Sequence, residues 1–122
     1  MLGQKLIPGD VVCLFGDLGA GKTTLVKGIL DGAQGKEHPH TLTSPTFTYL
    51  NIYPGTPTFY HFDLYRLRDA DEFLSMGFEE FLAANGICCL EWSEKIQPLI
   101  PEEAVRVTIQ HAGGDQRTIY VL

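Results

Sequence analysis

The chain has 122 residues, 44% of them hydrophobic and 20% charged, with 9 Lys and Arg against 15 Asp and Glu for a formal net charge of −6. This length builds one small soluble domain and leaves no room for a catalytic domain beside a separate substrate domain. The longest apolar runs, residues 11–15 and 87–90, fall far short of the roughly 18 residues that a membrane-spanning helix needs, so no membrane is expected. Residues 1–10 hold one Lys, then Pro and Gly, without the apolar stretch of a signal peptide. Cys13, Cys88 and Cys89 lie inside apolar runs with no spaced partners for a zinc site, and read as reduced core cysteines of a cytoplasmic protein.

Direct binding to nucleic acid draws most of its affinity from Lys and Arg clusters on phosphates, and the sequence has no such cluster. Residues 69–94 instead hold seven acids (Asp69, Asp71, Glu72, Glu79, Glu80, Glu91 and Glu94) and no Lys or Arg. A solvated helix face accounts for such a run; a surface for a basic partner is the alternative.

After the turn Pro8-Gly9, the apolar run from Val11 suits a strand buried on both faces. Glycines follow, and then residues 23–33 place Leu25, Val26, Ile29 and Leu30 at helical spacing. Residues 32–43, rich in Gly, His, Pro and Thr, predict a loop that ends in Thr43-Ser44-Pro45-Thr46. Residues 47–53 and 58–62 predict two strands joined across the turn sequence Pro54-Gly55-Thr56-Pro57. Asp69 or Asp71 can cap a helix with Phe73 and Leu74 as its apolar members; Gly77 ends or bends it, and Phe78, Phe81 and Leu82 carry the apolar face on to Asn85-Gly86. Ile87-Cys88-Cys89-Leu90 is a second fully apolar strand that stops at Glu91-Trp92. Residues 105–110 and 118–122 alternate as strands, with Gly113-Gly114-Asp115 as their hairpin turn. Interleaved strands and helices predict the α/β class with a mixed sheet.

Gly16-Asp17-Leu18-Gly19-Ala20-Gly21-Lys22-Thr23 matches the phosphate-binding pattern G-x-x-x-x-G-K-[ST] at every position, between the predicted strand and the predicted helix. Ordinary residue frequencies produce such a match in on the order of a few per thousand chains of this size. The glycines let the backbone turn tightly and aim successive N–H groups at phosphate oxygens, while the following helix adds the positive end of its dipole. Lys22 is placed to reach the β and γ phosphates, Thr23 to set its hydroxyl on Mg²⁺, and Thr24 to reach the α phosphate. The fold expected is then a P-loop NTPase-like mixed sheet flanked by helices, a single small domain over residues 1–122.

Hydrolysis requires more: a carboxylate for Mg²⁺ at the end of a second apolar strand, and a residue that orients the attacking water. Asp63 ends Phe59-Tyr60-His61-Phe62, and Glu91 ends the more apolar run 87–90. Strand character assigns the metal side to Glu91, and to Asp63 either water positioning or a second metal-side role; the plain alternative for each is an acid at a strand end. His61 reads as a structural histidine rather than a base, and Trp92 as a core residue or a neighbour of the nucleotide. Guanine selectivity through an Asn-Lys-x-Asp segment is absent, since neither Asn51 nor Asn85 begins one. ATP is the nucleotide expected.

With Gly16 to Thr24, Ser44-Pro45-Thr46-Phe47, His61-Phe62-Asp63-Leu64-Tyr65-Arg66 and Glu91-Trp92 in this order, nearly the whole chain resembles the bacterial TsaE family, also called YjeE. The phosphate loop is shared with many ATPases, whereas the H-x-D-x-Y-R segment followed by E-W is specific to this family. The resemblance implies a small ATPase needed to make threonylcarbamoyladenosine beside the anticodon of tRNAs that read codons beginning with A. It also implies a protein partner, the heterodimer of TsaB and TsaD, in which TsaD transfers the threonylcarbamoyl group and ATP hydrolysis resets the complex between turnovers. By matching positions, Lys22, Thr23 and Thr24 are implied as nucleotide and Mg²⁺ contacts, and Thr46 as a switch-like residue near the γ phosphate. Asp63 and Glu91 are implied as the catalytic and metal-side acids, with Trp92 beside the nucleotide. The acidic balance agrees that tRNA is reached only indirectly; self-association is left open. Two departures exist: family members begin with an additional strand and most of a helix before the part matching residues 2–10, and Ser93 stands where Pro commonly follows E-W.

Two other readings use the same loop. A small-molecule kinase would close an Arg-rich lid over the transferred group, and this chain has four Arg (Arg66, Arg68, Arg106 and Arg117) and no spare segment for a lid. A nucleotide-binding assembly switch would hold the nucleotide without releasing phosphate.

Overall fold

The apolar run that starts at Val11 lies in the middle of a sheet, covered on both faces. In the computed structural model, which describes residues 2–16, 22–35, 49–111 and 117–121, one helical turn, α1 (Leu2–Lys5), precedes the strand β1 (Val11–Gly16), which leads to the helix α2 (Lys22–Gln34). There follow β2 (Leu50–Tyr53), β3 (Phe59–Asp63), the short helices α3 (Ala70–Ser75) and α4 (Glu79–Leu82), β4 (Ile87–Glu91), a 3-10 helix (Ser93–Leu99), β5 (Val105–His111) and β6 (Arg117–Val121). The six strands form one sheet in the order β2-β3-β4-β1-β5-β6. Neighbours β3, β4, β1 and β5 run parallel, while β2 and β6 are antiparallel to β3 and β5 at the two edges. This is the mixed α/β sheet that the interleaving predicts.

Helices on both faces explain why the inner strands show no polar side. Val11, Val12, Cys13 and Leu14 of β1 and Ile87, Cys88, Cys89 and Leu90 of β4 are all buried. One face carries Val12, Leu14, Phe59, Ile87, Cys89 and Val107 against Val26, Ile29 and Leu30 of α2. The other carries Val11, Cys13, Phe62, Cys88 and Leu90 against Phe73 of α3 and Ile96 of the 3-10 helix. Phe62 anchors this second layer, with the rings of Phe73, Phe78 and Phe81 between 5.6 and 6.3 Å from its own. The three cysteines are free and buried, as their apolar runs predict.

Of the two acids that could cap α3, Asp69 does so: its carboxylate accepts the Glu72 N–H at 3.0 Å. Gly77, at φ 76, ends that helix, and α4 adds one further turn. The strand pair β2–β3 meets across the expected turn, and Gln34 at the end of α2 fastens it by donating to the carbonyls of Tyr53 and Pro57 at 2.8 and 2.9 Å.

Two elements have no local signal in the sequence. α1 is a single turn held by close approach to α2: a Cβ on Gly3 would meet the Ile29 carbonyl oxygen at 2.4 Å. The 3-10 helix contains Pro98 and a kink at Ile96, so no helical period develops. The loop predicted from Gly32 also starts later, because α2 runs to Gln34 and Gly32 is a crossing point, its Cβ position 3.1 Å from the Gly3 Cα. The rest of that loop from residue 36, the start of the strand predicted from 47, and the turn at 113–115 lie outside the described residues.

Candidate nucleotide site at the carboxyl edge of the sheet

The four parallel strands end on one edge, and open α/β sheets bind ligands outside that carboxyl edge. β1 reaches it at Gly16, the first residue of the glycine-rich pattern. There φ is 134, and a Cβ would lie 2.1 Å from the carbonyl oxygen of Ile109 on β5, so only glycine fits. Asp17, Leu18, Gly19, Ala20 and Gly21 lie outside the described residues, as does Thr46. Lys22 and Thr23 open α2 and the exposed Thr24 follows. Because α2 packs back on β1 through Val26, Ile29 and Leu30, its amino end lies at the carboxyl edge, where the helix dipole favours an anion.

β3 and β4 bring the two acids to the same edge. Asp63 is the register partner of Glu91, and Glu91 is in turn the partner of Leu14 on β1. Side chains alternate along a strand, which puts His61, Asp63 and Glu91 on the face of Phe59, Ile87 and Cys89, the face covered by α2. Two acids expected separately at two strand ends thus stand side by side, Glu91 on the strand next to β1 and Asp63 one strand farther. The backbone fixes them there. Leu64 N–H donates to the Glu91 carbonyl at 3.1 Å and Asp63 N–H to the Tyr49 carbonyl at 2.9 Å. Tyr65 N–H donates to Asp63 Oδ1 at 3.1 Å, closing a turn on the carboxylate itself.

His61 is buried, as a structural histidine is, and its ring contacts one of the two acids. It is 1% exposed, its Nε2 lies 2.7 Å from Glu91 Oε2, and its buried Nδ1 has no hydrogen-bond partner among the described residues. The signal in the sequence was its place two residues before Asp63, which sets both on one face of the strand; the contact to Glu91 spans 30 positions and has no local signature. Trp92 follows Glu91 in the left-handed region, φ 62 and ψ 39. That conformation interrupts the alternation, and the indole packs with the cluster of Phe62 and Leu90 on the opposite face, 5.0 Å from the ring of Tyr65.

The glycine-rich segment, the in-register acids and the strand order can be set beside known proteins. The sequence model of the family described as "Threonylcarbamoyl adenosine biosynthesis protein TsaE" matches residues 1–119. The chain belongs to the TsaE family. It is 42% identical over 113 residues to the tRNA threonylcarbamoyladenosine biosynthesis protein TsaE of Bacillus subtilis (strain 168), covering 92% of this chain and 68% of that protein. To the TsaE protein of the same description from Treponema pallidum (strain Nichols) it is 39% identical over 121 residues, 99% of this chain and 87% of the relative. The fold is similar to the one titled "Crystal structure of Bacillus subtilus YdiB", with a TM-score of 0.75 and 36% identity, over 97% of this chain and 70% of that one. The TsaE match takes in the glycine-rich segment and both acid-bearing strands, so the carboxyl edge described here lies wholly inside the family's span.

Proposed function

We propose that this TsaE-family chain binds and hydrolyses ATP with Mg²⁺ and serves the formation of threonylcarbamoyladenosine in tRNA by acting on the TsaB–TsaD heterodimer in the cytoplasm. The observation that carries the reading is the adjacency of Asp63 and Glu91, in register, with Glu91 on the strand beside β1. A phosphate loop alone binds nucleotide; two carboxylates at its mouth supply what hydrolysis adds. In this reading Gly16 to Thr24 cradle the phosphates, Lys22 meets the β and γ groups, and Thr46 neighbours the nucleotide, while Trp92, whose indole packs on the opposite face, borders the site only at the strand end beside Glu91.

The donor chemistry fits Mg²⁺. Among the described residues no group of three or more His, Cys, Asp and Glu converges to hold a metal by itself. Mg²⁺ is usually held by one or two carboxylates together with substrate phosphates, which a two-acid edge beside a phosphate loop matches. Glu91 and the Thr23 hydroxyl would hold the ion, which neutralises charge on the phosphates when bound. Asp63, tethered through Oδ1, orients the attacking water and takes up its proton.

Charge and thiols support the proposed partner and compartment. Asp71, Glu79, Glu80 and Glu94 are exposed, which disfavours direct contact with RNA and suits a basic protein surface. Free buried cysteines suit a reducing compartment, and among the described residues no helix is long and apolar enough to cross a membrane. Phosphate release with ATP and Mg²⁺, measured for the protein alone and with TsaB–TsaD, tests the reading. Weak turnover alone, altered by the heterodimer and abolished in Lys22→Ala, is expected. Turnover unchanged in that variant overturns the reading, and tight binding with no phosphate release in any mixture points to an assembly switch instead.

A further inference from the structure

We propose that His61 is a positioning residue for the Glu91 carboxylate, holding one of its oxygens so that the acid is set in place before nucleotide and Mg²⁺ arrive. The inference rests on the reading of Glu91 as the metal-side acid. His61 sits on β3 between its register partners Asn51 of β2 and Cys89 of β4, on the face that also carries the apolar Phe59 and Ile87. A side chain that only filled this space would be apolar, because a buried imidazole must satisfy two ring nitrogens. Among the described residues Nδ1 has no hydrogen-bond partner. Among the described residues the ring's hydrogen bond is Nε2 to Glu91 Oε2 at 2.7 Å, which joins it to the candidate site.

The carboxylate accepts, so Nε2 carries the hydrogen of this contact. A hydrogen bond to one carboxylate oxygen fixes the plane of the group and therefore the direction of the other oxygen. His61 is nearly inaccessible and Glu91 is 13% exposed, so little solvent competes for the contact. Outer hydrogen bonds of this kind orient metal-ligating groups, and their removal typically costs about 10–100-fold in metal affinity or activity. The backbone carbonyl of Glu91 is separately held by Leu64 N–H, which leaves the side chain as the part that His61 controls.

The test compares the affinity of the whole protein for a non-hydrolysable ATP analogue with Mg²⁺ and in EDTA, by calorimetry, with thermal melting as the check on folding. His61→Leu removes the donor. It is expected to lose about 10–100-fold of the gain that Mg²⁺ confers, with the affinity in EDTA unchanged. His61→Gln, whose amide N–H can take the place of Nε2–H, is expected to restore most of that gain. His61→Asn keeps a polar side chain too short to reach Glu91, and is expected to behave as His61→Leu does, which carries the comparison if the apolar variant does not fold. An unchanged Mg²⁺ gain in the Leu and Asn variants overturns the inference, as does an equal loss with and without Mg²⁺ or a Gln variant no better than Leu. Glu91→Gln separates the two levels: a Mg²⁺ gain insensitive to that change removes the metal-side reading itself, whereas a gain lost there but kept in the His61 variants overturns the positioning role alone.

Discussion

Asp63 and Glu91 are register partners on adjacent parallel strands, and the strand that carries Glu91 lies directly against β1. Their side chains occupy the face covered by α2, whose amino end follows the glycine-rich segment. If the two acids divide water activation and metal binding, they fail differently. Asp63→Asn is expected to lower phosphate release at saturating ATP and Mg²⁺ by about 10²–10⁴-fold, the usual worth of a positioned base, with nucleotide affinity kept within a few-fold. Glu91→Gln should slow turnover and also weaken the response to Mg²⁺. Because groups acting on one transition state are not additive, the double variant should be far less impaired than the product of the two losses. Steady-state phosphate release with TsaB–TsaD present, across a Mg²⁺ titration, distinguishes these patterns.

Gly16 and Gly28 make opposite predictions for the same substitution. At Gly16 a Cβ would meet the backbone of β5 at 2.1 Å with φ 134, whereas at Gly28, inside α2, nothing lies within 4 Å. Gly16→Ala should therefore destabilise by at least the cost of overpacking, about 1–3 kcal/mol, and impair nucleotide binding. Gly28→Ala should stabilise by about 0.4–1 kcal/mol through the unfolded chain and the helix propensity of Ala. Urea denaturation of the two variants, read at equal slope, gives both signs.

Burial raises all three thiol pKa values: Cys88 is pushed up to about 12, and Cys89 and Cys13 lie above their ordinary value of 9.0. The native protein should therefore resist iodoacetamide at about pH 8 and become reactive only on unfolding, since the thiolate is the nucleophile. A group whose folded pKa exceeds its unfolded one stabilises the fold below the unfolded value and ceases to do so as pH rises through the folded value. Stability should fall between about pH 9 and pH 12, the interval set by Cys88. Labelling rates with and without urea, and urea midpoints at mildly and strongly alkaline pH, check the two statements.

Strands β1 and β4 were legible as apolar runs because both of their faces are covered, and α2 because one face of it packs on the sheet. The glycine-rich pattern announced its own place at a strand–helix junction. What no local pattern contains is pairing: that β4 inserts between β3 and β1, and so places Glu91 opposite Asp63, is decided by packing between residues far apart in the chain. The contact of His61 with Glu91 was hidden for the same reason, since it crosses from one strand to the next. Gly32 was misleading locally: it reads as the start of a loop, yet it stands where α1 crosses α2, against Gly3.

Asp69 caps α3 by accepting the Glu72 N–H at 3.0 Å, and that hydrogen bond, ahead of the nearby Arg68, holds its carboxyl below the ordinary value of 3.8. A depressed folded pKa means that the carboxylate stabilises the fold above the unfolded value and stops doing so as pH falls through the folded one. Asp69→Ala should lower the melting temperature by a few degrees at neutral pH, as loss of an N-cap does. The gap to the parent protein should narrow as pH drops below about 3.8. Asp69→Asn supplies the control, because Asn caps about as well as Asp but does not titrate. Its melting temperature should stay near that of the parent at neutral pH, and the cap's own pH dependence should vanish. If Asp69→Ala and the parent differ by the same amount at neutral pH and well below 3.8, the cap does not depend on the ionised carboxylate.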